Sequence, residues 1–531
     1  MGKLSGFFKK WKSRLVKQAN LWILVELCRR CVGLPILVVL GLLLIYTFYN
    51  QLSWDPSFYK ALKNIVYKLF YTTSGVIGTP VSVCYTYIVL FIIFGAFLER
   101  TGIANFFISF ANRLAGWSSG GPAKVAVISS ALCGMVSGSS VGNTVTTGSV
   151  TIPMMKKTGY KPEFAGAVEA AASTGGQIMP PIMGAAAFLM AEYMNIPYAK
   201  VAVKAILPAV LYFTGIFIAV HLEAKKLGLK GMPKSEMVSW GELAKRAYLI
   251  IPLALLIFLV SSGSRTMQFS AAVSILAAIV VGFLNKDERL TFGKIVEALE
   301  AGAKGAITVA VACAMAGMIA GCITVTGLAS ILINAIVQMA GDATMIGLLL
   351  TMICCIILGM GVPTTANYCI MASTCAPILV QMGFPLVAAH FFVFYFGIVA
   401  DITPPVALAA YAGAAIAKAN PMKTGINATK LAIAAFIVPY IFAYSPAMLF
   451  DNVSSAFEVV QIVVSALIGL FGVAAALNGF VYKKIPMLFR LAMAAGGLCM
   501  MIPGTASDVV GLVMVGGIVL IQRMSARRLA A

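Results

Sequence analysis

Charged side chains are scarce in this sequence of 531 residues. Only 11% are Asp, Glu, Lys or Arg, whereas 60% are apolar, and the mean hydropathy is +0.95. A soluble globular chain carries about twice as much charge, because its surface must be hydrated. The composition therefore excludes a soluble enzyme and a disordered chain alike. The windows without any charge are residues 31–54, 125–155, 205–220, 247–264, 266–285, 305–341, 343–400, 431–450 and 459–482.

These windows predict membrane spans, because a helix of about 20 apolar residues crosses a bilayer. Transmembrane strands are excluded, since they alternate in polarity and run to about 10 residues. We therefore predict an all-α polytopic membrane protein. The longest windows must hold more than one element each.

Acidic residues are outnumbered by basic ones, 18 to 39, which leaves a net charge of +21. Eight of the basic residues lie in residues 1–32, six in 222–246 and three in 523–528. Clusters of Lys and Arg beside spans mark cytoplasmic loops. We therefore expect both chain ends on the cytoplasmic side, and we expect no nucleic acid as a partner.

The N-terminal basic cluster also has a helical pattern. Leu4, Phe8, Trp11 and Leu15 fall on one face, and basic residues occupy the rest. This pattern predicts an amphipathic arm in the interface of the inner leaflet, in contact with membrane lipids. A solvated basic tail is the alternative. No cleavable signal peptide is expected, because the arm is too long and the apolar run 33–49 lacks a small-residue cleavage site.

Residue patterns typical of enzymes are missing. His221 and His390 share no ligand partner, and no nucleophile–base pair or phosphate-binding loop appears. The 11 cysteines are scattered, several of them in apolar stretches, and we expect them to be free core thiols. We therefore expect neither an enzyme nor an ATP-driven pump, and no bound metal other than a coupling ion.

An internal repeat is the strongest pattern in the chain. The sequence Thr-Gly-Ile-Ala at 101–104 recurs as Thr-Gly-Leu-Ala at 326–329, a shift of 225. Asn143 matches Asn367, and the Pro-Pro pair at 180–181 matches that at 404–405, both at a shift of 224. Five predicted spans separate the two copies. Because five is an odd number of membrane crossings, the second copy is inverted relative to the first. Inverted repeats with broken helices are typical of secondary transporters that bind substrate near the membrane midplane.

Each repeat contains an apolar run that we predict to enter the membrane and return. The run 122–156 has basic residues at both ends, so both ends lie on one side. The run 342–381 is its counterpart. The centres of both runs are rich in Gly, Pro and hydroxyl residues, at 134–148 and 359–367. Such backbone inside a membrane is tolerated only where it is buried or lines a cavity. Close packing of small residues is the alternative explanation.

Two re-entrant hairpins with unwound tips predict a binding site. Freed carbonyls and hydroxyls are hard oxygen ligands for Na⁺, and the helix N-termini after each tip can hold a carboxylate. Helices interrupted by Pro-Pro, at 173–181 and 401–405, are expected to face the tips. The predicted Na⁺-binding residues are Ser137, Ser139, Ser140, Gly142, Asn143, Thr174, Gly175, Gly361, Val362, Thr364, Thr365, Asp401 and Thr403. The predicted substrate-binding residues are Asn143, Thr144, Thr147, Ser173, Pro363, Thr365 and Asn367.

Two of the 18 acids fall inside predicted spans, and buried charges in membranes are functional candidates. Asp401 lies three residues before a Pro-Pro break, so we predict a role in cation coordination. Glu169 lies only six residues into its span, and we expect that it can reach the membrane interface.

Several motifs carry a resemblance to a known family. The runs FGAFLERTG at 94–102 and GPAKV at 121–125 resemble the large membrane subunit of tripartite ATP-independent periplasmic (TRAP) transporters. The runs EFAGAVEAAASTGGQIMPP at 163–181 and GVPTTANY at 361–368 resemble the TAXI-type branch of that family. The likeness covers roughly residues 60–450. Residues 26–33 faintly resemble part of the small membrane subunit.

The resemblance implies a fold and a function. It implies an elevator-type fold of the ion transporter superfamily kind, in which the hairpin region moves against a scaffold in a bacterial or archaeal inner membrane. It further implies a TAXI-type periplasmic substrate-binding protein as partner, Na⁺ as coupling ion and a carboxylate as substrate. A separate small membrane subunit is a further possible partner, because only one clear span precedes the family region.

Five segments are predicted. They are a basic arm with one small-subunit-like span (1–62), a first repeat with hairpin 1 (63–225), connecting scaffold spans (226–302), a second repeat with hairpin 2 (303–450) and a C-terminal membrane extension (451–531). A stand-alone Na⁺/anion symporter of similar fold, or an ion channel, are the alternative functions.

Overall fold

The computed structural model describes residues 23–233, 235, 237–341, 343–502 and 504–530. The predicted amphipathic arm up to Lys17 lies outside the described residues. Within these ranges the chain consists of helices and connecting turns, with one isolated bridge between Phe480 and Lys484. The prediction of an all-α fold is therefore confirmed.

Nine helices in the described part of the chain are long and apolar enough to cross a membrane. They are Leu34–Trp54, Thr79–Arg100, Tyr198–Lys226, Trp240–Ser261, Met267–Leu284, Phe292–Thr326, Pro421–Tyr444, Ala456–Asn478 and Thr505–Arg527. Much of their outer surface is apolar, as a lipid environment requires. The chain is a polytopic membrane protein, as the charge-free windows predicted.

Two pairs of shorter helices form the re-entrant hairpins. Hairpin 1 has the arms Gly121–Ser137 and Ser140–Lys157. Hairpin 2 has a first arm, Thr344–Gly359, and a second arm, Thr364–Thr374, which Ala376–Gln381 continues. Each tip contains a glycine whose backbone conformation ends the helix. Gly138 and Gly361 both adopt positive φ, a conformation that glycine adopts without a steric penalty.

Two further helices are interrupted at the Pro-Pro pairs. Broken helix 1 consists of Pro162–Gly175 and Ala185–Met194. Broken helix 2 consists of Leu386–Val399 and Leu408–Ala417. Each first half ends in a short 3₁₀ turn just before the proline pair, because proline removes a backbone donor and clashes with the preceding turn.

The remaining helices flank this centre. The helices Phe58–Tyr71 and Ile103–Ala115 are amphipathic, and the latter occupies the segment predicted to be interfacial. Phe58–Tyr71 ends before the glycines at 75 and 78, and the next span begins at Thr79. The other short helices are Leu328–Ala340 and Met487–Cys499, and a 3₁₀ turn spans Pro446–Leu449.

The two repeats interlock at the centre of the molecule. Each hairpin packs against the first half of its own broken helix. The second half of each broken helix packs against the other repeat's hairpin: Ala185–Met194 lies against Thr364–Thr374, and Leu408–Ala417 lies against Ser140–Lys157. This exchange brings the two tips and the two breaks into one polar centre. The long helix Phe292–Thr326 contacts both Thr79–Arg100 and hairpin 2.

Candidate cation and substrate site

Each hairpin tip packs closely against the break of its own repeat. A Cβ atom on Gly134 would lie 2.6 Å from the Gly176 Cα atom, and one on Gly138 would lie 2.5 Å from the Gly184 Cα atom. In the second repeat, a Cβ atom on Gly359 would lie 2.9 Å from the Ala400 Cβ atom. Glycine at these positions lets backbone meet backbone, and the unwound peptide groups of tip and break are thereby brought together.

The tips are also joined across the two repeats. The Ser140 hydroxyl, at the start of the second arm of hairpin 1, donates to the Asp401 carboxylate in broken helix 2 over 2.6 Å. The Thr364 hydroxyl, at the start of the second arm of hairpin 2, donates to the Gln177 side-chain oxygen in broken helix 1 over 3.0 Å. Asp401 and Gln177 also face one another. The four side chains form a continuous polar bridge, which we call the central bridge.

The central bridge follows the internal repeat. Ser140 and Thr364 are 224 residues apart, and so are Gln177 and Asp401. Equivalent hydroxyls therefore meet equivalent partners, but one partner is an amide and the other a carboxylate. Gln177 was not among the predicted site residues. Applying the 224-residue shift to Asp401 would have identified it.

Two repeat-related asparagines present unpaired oxygens beside the central bridge. Asn143 donates its amide to the Ser130 carbonyl over 2.9 Å, and Asn367 donates to the Gly397 carbonyl over 2.9 Å. The side-chain oxygen of each is buried without a protein partner. Both residues are only 1% exposed. A buried amide oxygen without a donor costs free energy unless another group, such as a cation, satisfies it.

The other predicted cation ligands lie around the tips and breaks. Ser139 caps the second arm of hairpin 1 and accepts from the Gly142 amide over 3.1 Å. The Ser137 hydroxyl is buried without a partner. Thr174 and Thr403 donate to the carbonyls four residues before them in their own helices. Thr365 and Val362 are buried at the hairpin 2 tip.

Two predicted residues are used in packing. A Cβ atom on Gly175 would lie 2.1 Å from the Tyr212 ring, so Gly175 faces the helix Tyr198–Lys226. A Cβ atom on Gly361 would lie 2.9 Å from the Pro35 ring in the first described span. The hairpin 2 tip is thus in contact with the helix Leu34–Trp54.

The predicted substrate residues divide into two groups. Asn143, Thr144, Pro363, Thr365 and Asn367 lie within one turn or so of the tips, where Thr144 donates to the Ser140 carbonyl. Thr147 and Ser173 instead lie deeper, where both donate to the Glu169 carboxylate. These two hydroxyls therefore face the interior between hairpin 1 and broken helix 1.

Glu169 is completely buried, so the expectation that it reaches the membrane interface is wrong. Its carboxylate accepts hydrogen bonds from Ser130, Thr147 and Thr151 of hairpin 1, and from Ser173 over 3.1 Å. The helix turns beside it place all four hydroxyls toward one point. Four hydroxyl groups thus surround the two carboxyl oxygens of Glu169.

A cavity of about 170 Å³ adjoins the tip of hairpin 1. It lies between that tip and the helix Thr79–Arg100, and it is lined by Ser137, Gly184, Phe91, Phe188 and Glu99 among others. None of its lining residues is basic. An anionic ligand here would depend on hydroxyls and on the backbone N–H groups at the start of Ala185–Met194, rather than on a salt bridge.

Paired re-entrant hairpins around a buried polar centre, inside an apolar helical bundle, define a membrane permease. The chain belongs to the family described as the DctM component of tripartite ATP-independent periplasmic transporters, whose family model matches residues 20–457. This family assignment confirms the resemblance to the large TRAP subunit and the expectation that the chain is not an enzyme.

Curated relatives of this chain are also large permease proteins of TRAP transporters. The chain is 30% identical over 218 residues to the C4-dicarboxylate TRAP transporter large permease protein DctM of Vibrio cholerae serotype O1, covering 41% of this chain and 44% of that protein. It is 23% identical over 362 residues to the 2,3-diketo-L-gulonate TRAP transporter large permease protein YiaN of Escherichia coli K12, covering 66% and 83%. The chain thus spans about half the length of the first relative and more of the second.

Proposed function

We propose that this chain is the large membrane subunit of a binding-protein-dependent secondary transporter that imports a carboxylate, coupled to Na⁺ entry. The proposal places it in a bacterial or archaeal inner membrane with both ends cytoplasmic. Its partners are a TAXI-type periplasmic substrate-binding protein and a separate small membrane subunit. The hairpins and broken helices move together against the scaffold in an elevator motion.

The central bridge and its flanking asparagines are the observation that supports Na⁺ coupling. Asn143 and Asn367 each have a buried side-chain oxygen without a protein donor, three residues after the bridge residues Ser140 and Thr364, and the bridge itself contains the Asp401 carboxylate. Amide, carbonyl and carboxylate oxygens are the ligands that hard cations prefer. One acid at the site balances one monovalent charge, which suits Na⁺ better than a divalent ion.

Dependence on a binding protein and a carboxylate is supported by the relatives. Two relatives are named as C4-dicarboxylate and 2,3-diketo-L-gulonate transporters, and a third, from Vibrio cholerae, is a sialic acid TRAP transporter large permease protein. These ligands are all organic acids. The cavity beside hairpin 1 has the Ser137 hydroxyl and the N-terminus of Ala185–Met194 as donors for a carboxylate and aromatic walls for its carbon chain, although the Glu99 carboxyl also lines it.

Reconstituted uptake tests the proposal. The purified chain in proteoliposomes is given a panel of radiolabelled carboxylates, with an inward Na⁺ gradient or with choline in its place, and with or without host periplasmic extract. The small subunit encoded nearest the gene is co-reconstituted in a parallel set. We expect uptake only with both Na⁺ and extract. Saturable, Na⁺-driven uptake without extract would instead identify a stand-alone symporter, and non-saturating flux would identify a channel.

A further inference from the structure

The two hairpins are held to the protein very differently. In hairpin 1, the first arm Gly121–Ser137 has 14 of its 17 residues buried. In hairpin 2, the first arm Thr344–Gly359 has 5 of its 16 residues buried. Its outer face is apolar, with Ile353 48% and Ile357 61% exposed. The first arm of hairpin 1 is therefore enclosed by protein, whereas the first arm of hairpin 2 lies at the periphery. The second arms show the reverse, with 8 of the 18 residues of Ser140–Lys157 and 9 of the 11 residues of Thr364–Thr374 buried.

Hydrogen bonds also differ between the two hairpins. Glu169 in broken helix 1 accepts from Ser130 in the first arm of hairpin 1 and from Thr147 and Thr151 in the second arm. Both arms are thus bonded to the same buried carboxylate. Hydrogen bonds are strengthened where water is excluded, as it is around this completely buried side chain. Separating hairpin 1 from broken helix 1 would leave this carboxylate buried without donors.

The second repeat has no counterpart of this cluster. At the repeat shifts of 224 and 225, the positions of Glu169 and its partners are taken by apolar, thiol or glycine residues: Cys355, Met371, Cys375, Val393 and Gly397. In place of hydroxyl–carboxylate bonds, the Cys375 and Cys354 sulfur atoms lie 3.7 Å apart. Thiols are weak donors, so the interior of hairpin 2 rests mainly on apolar packing.

The polar bonds of hairpin 2 come mainly from its second arm. Asn367 donates to the Gly397 carbonyl, and the Tyr368 hydroxyl contacts His390, both in broken helix 2. The first arm is bonded to other helices at Thr344, its first residue, and at Met352, near its middle, and the Cys354 sulfur contacts that of Cys375 in the second arm. The last turn of the first arm, after the cysteine pair at 354–355, can therefore move at the cost of apolar contacts, and movement of the tip would also break the contact of Gly361 with Pro35.

We infer that Glu169 is a positioning residue that fastens hairpin 1 to broken helix 1, and that hairpin 2 is the hairpin that opens to admit substrate. The assignment of a substrate rests on the proposed function, but the difference in fastening does not. Hairpin 1 and broken helix 1 then move as one body, and access to the central bridge depends on hairpin 2.

Hydrogen–deuterium exchange on the full-length chain in lipid nanodiscs, followed by mass spectrometry, tests this inference. We expect tip amides in 134–142 to exchange at least about 10-fold more slowly than those in 358–366. Glu169→Gln keeps the side-chain shape but replaces one carboxyl oxygen with an amide NH2 group, which cannot accept from the surrounding hydroxyls. It should accelerate exchange in 134–142 at least about 10-fold and leave 358–366 unchanged, because only hairpin 1 is bonded to Glu169.

A pair of threonine variants provides the matched comparison. Thr151→Val removes one donor to Glu169, whereas Thr146→Val removes an exposed hydroxyl of the same helix that donates only to the Gly142 carbonyl. Thr151→Val should accelerate hairpin 1 exchange and Thr146→Val should not. Thr151→Val also serves if Glu169→Gln does not fold. Equal exchange of both tips in the wild type, or equal effects of the two valine variants, would overturn the inference. Because exchange is measured without transport, a failed uptake experiment leaves this result unaffected.

Discussion

Asp401→Asn tests whether the negative charge of Asp401 stabilises a nearby bound cation or whether the residue has only a structural role. Asp401 is 6% exposed and accepts from Ser140 over 2.6 Å. Asparagine retains the shape and one acceptor oxygen, so hairpin 1 can stay joined to broken helix 2. What is lost is the negative charge at the central bridge.

The size of the effect follows from Coulomb's law. A cation about 5–8 Å from the carboxylate, at an effective dielectric constant of roughly 20, interacts with it by about 2–3 kcal/mol. Since about 1.4 kcal/mol corresponds to a factor of ten, Asp401→Asn should weaken Na⁺ binding roughly 30- to 150-fold. An acid far from the bridge should have no such effect. Asp508, which accepts from Gln461 near the C-terminal helices, supplies this control as Asp508→Asn.

Binding of Na⁺ alone is the measurement. Thermal unfolding of the detergent-solubilised chain is followed as NaCl replaces choline chloride at constant ionic strength, because a ligand that binds only the folded state raises its stability with concentration. The midpoint of the Na⁺-dependent rise should move to roughly 30-fold higher concentration or more in Asp401→Asn. A change of less than about threefold, or an equal change in Asp508→Asn, would refute a role for the Asp401 charge in cation binding.

The remaining predictions use the same assay. Asn143→Leu and Asn367→Leu should each weaken Na⁺ binding more than about tenfold, since each removes a buried oxygen ligand, while Asn112→Leu, which removes an unpaired oxygen outside the site, should not. Gln177→Leu should weaken Na⁺ binding roughly fivefold, because it removes the neutral hydrogen bond that Thr364 donates to Gln177. Na⁺ binding as tight as in the wild type would show that the Gln177 side chain is not part of the cation site. Gly134→Ala should lower the unfolding temperature by several degrees, because its Cβ would meet Gly176, whereas Gly41→Ala, with open space beside it, should not.

The hairpins and breaks could be predicted because their causes are local. A glycine of positive φ interrupts the helix at each tip, so the predicted runs 122–156 and 342–381 agree with hairpins at Gly121–Lys157 and Thr344–Gln381. The second arm of hairpin 1 nevertheless stays helical through Gly142, Gly148 and Pro153. The Pro-Pro pairs likewise interrupt helices whatever surrounds them. The repeat added the expectation that the two elements come in matching pairs.

The contacts between the repeats could not be predicted in the same way. Ser140 and Asp401 are 261 residues apart, and their hydrogen bond depends on how the two repeats interlock. Gln177 lacks a charge, so nothing but the repeat register distinguishes it. The burial of Glu169 could not be predicted from its distance to the helix end, because three of the four hydroxyls that enclose it come from hairpin 1 and only Ser173 from its own helix.

The contact between Pro35 and Gly361 joins the first described span to the tip of hairpin 2. Both the ring of Pro35 and the Val406 side chain lie so close to Gly361 that a Cβ atom would not fit there. The first described span thus contacts the tip of hairpin 2 directly. If hairpin 2 opens as inferred, this contact is one that must be broken, so a change at Pro35 in a different helix should alter how readily the tip moves.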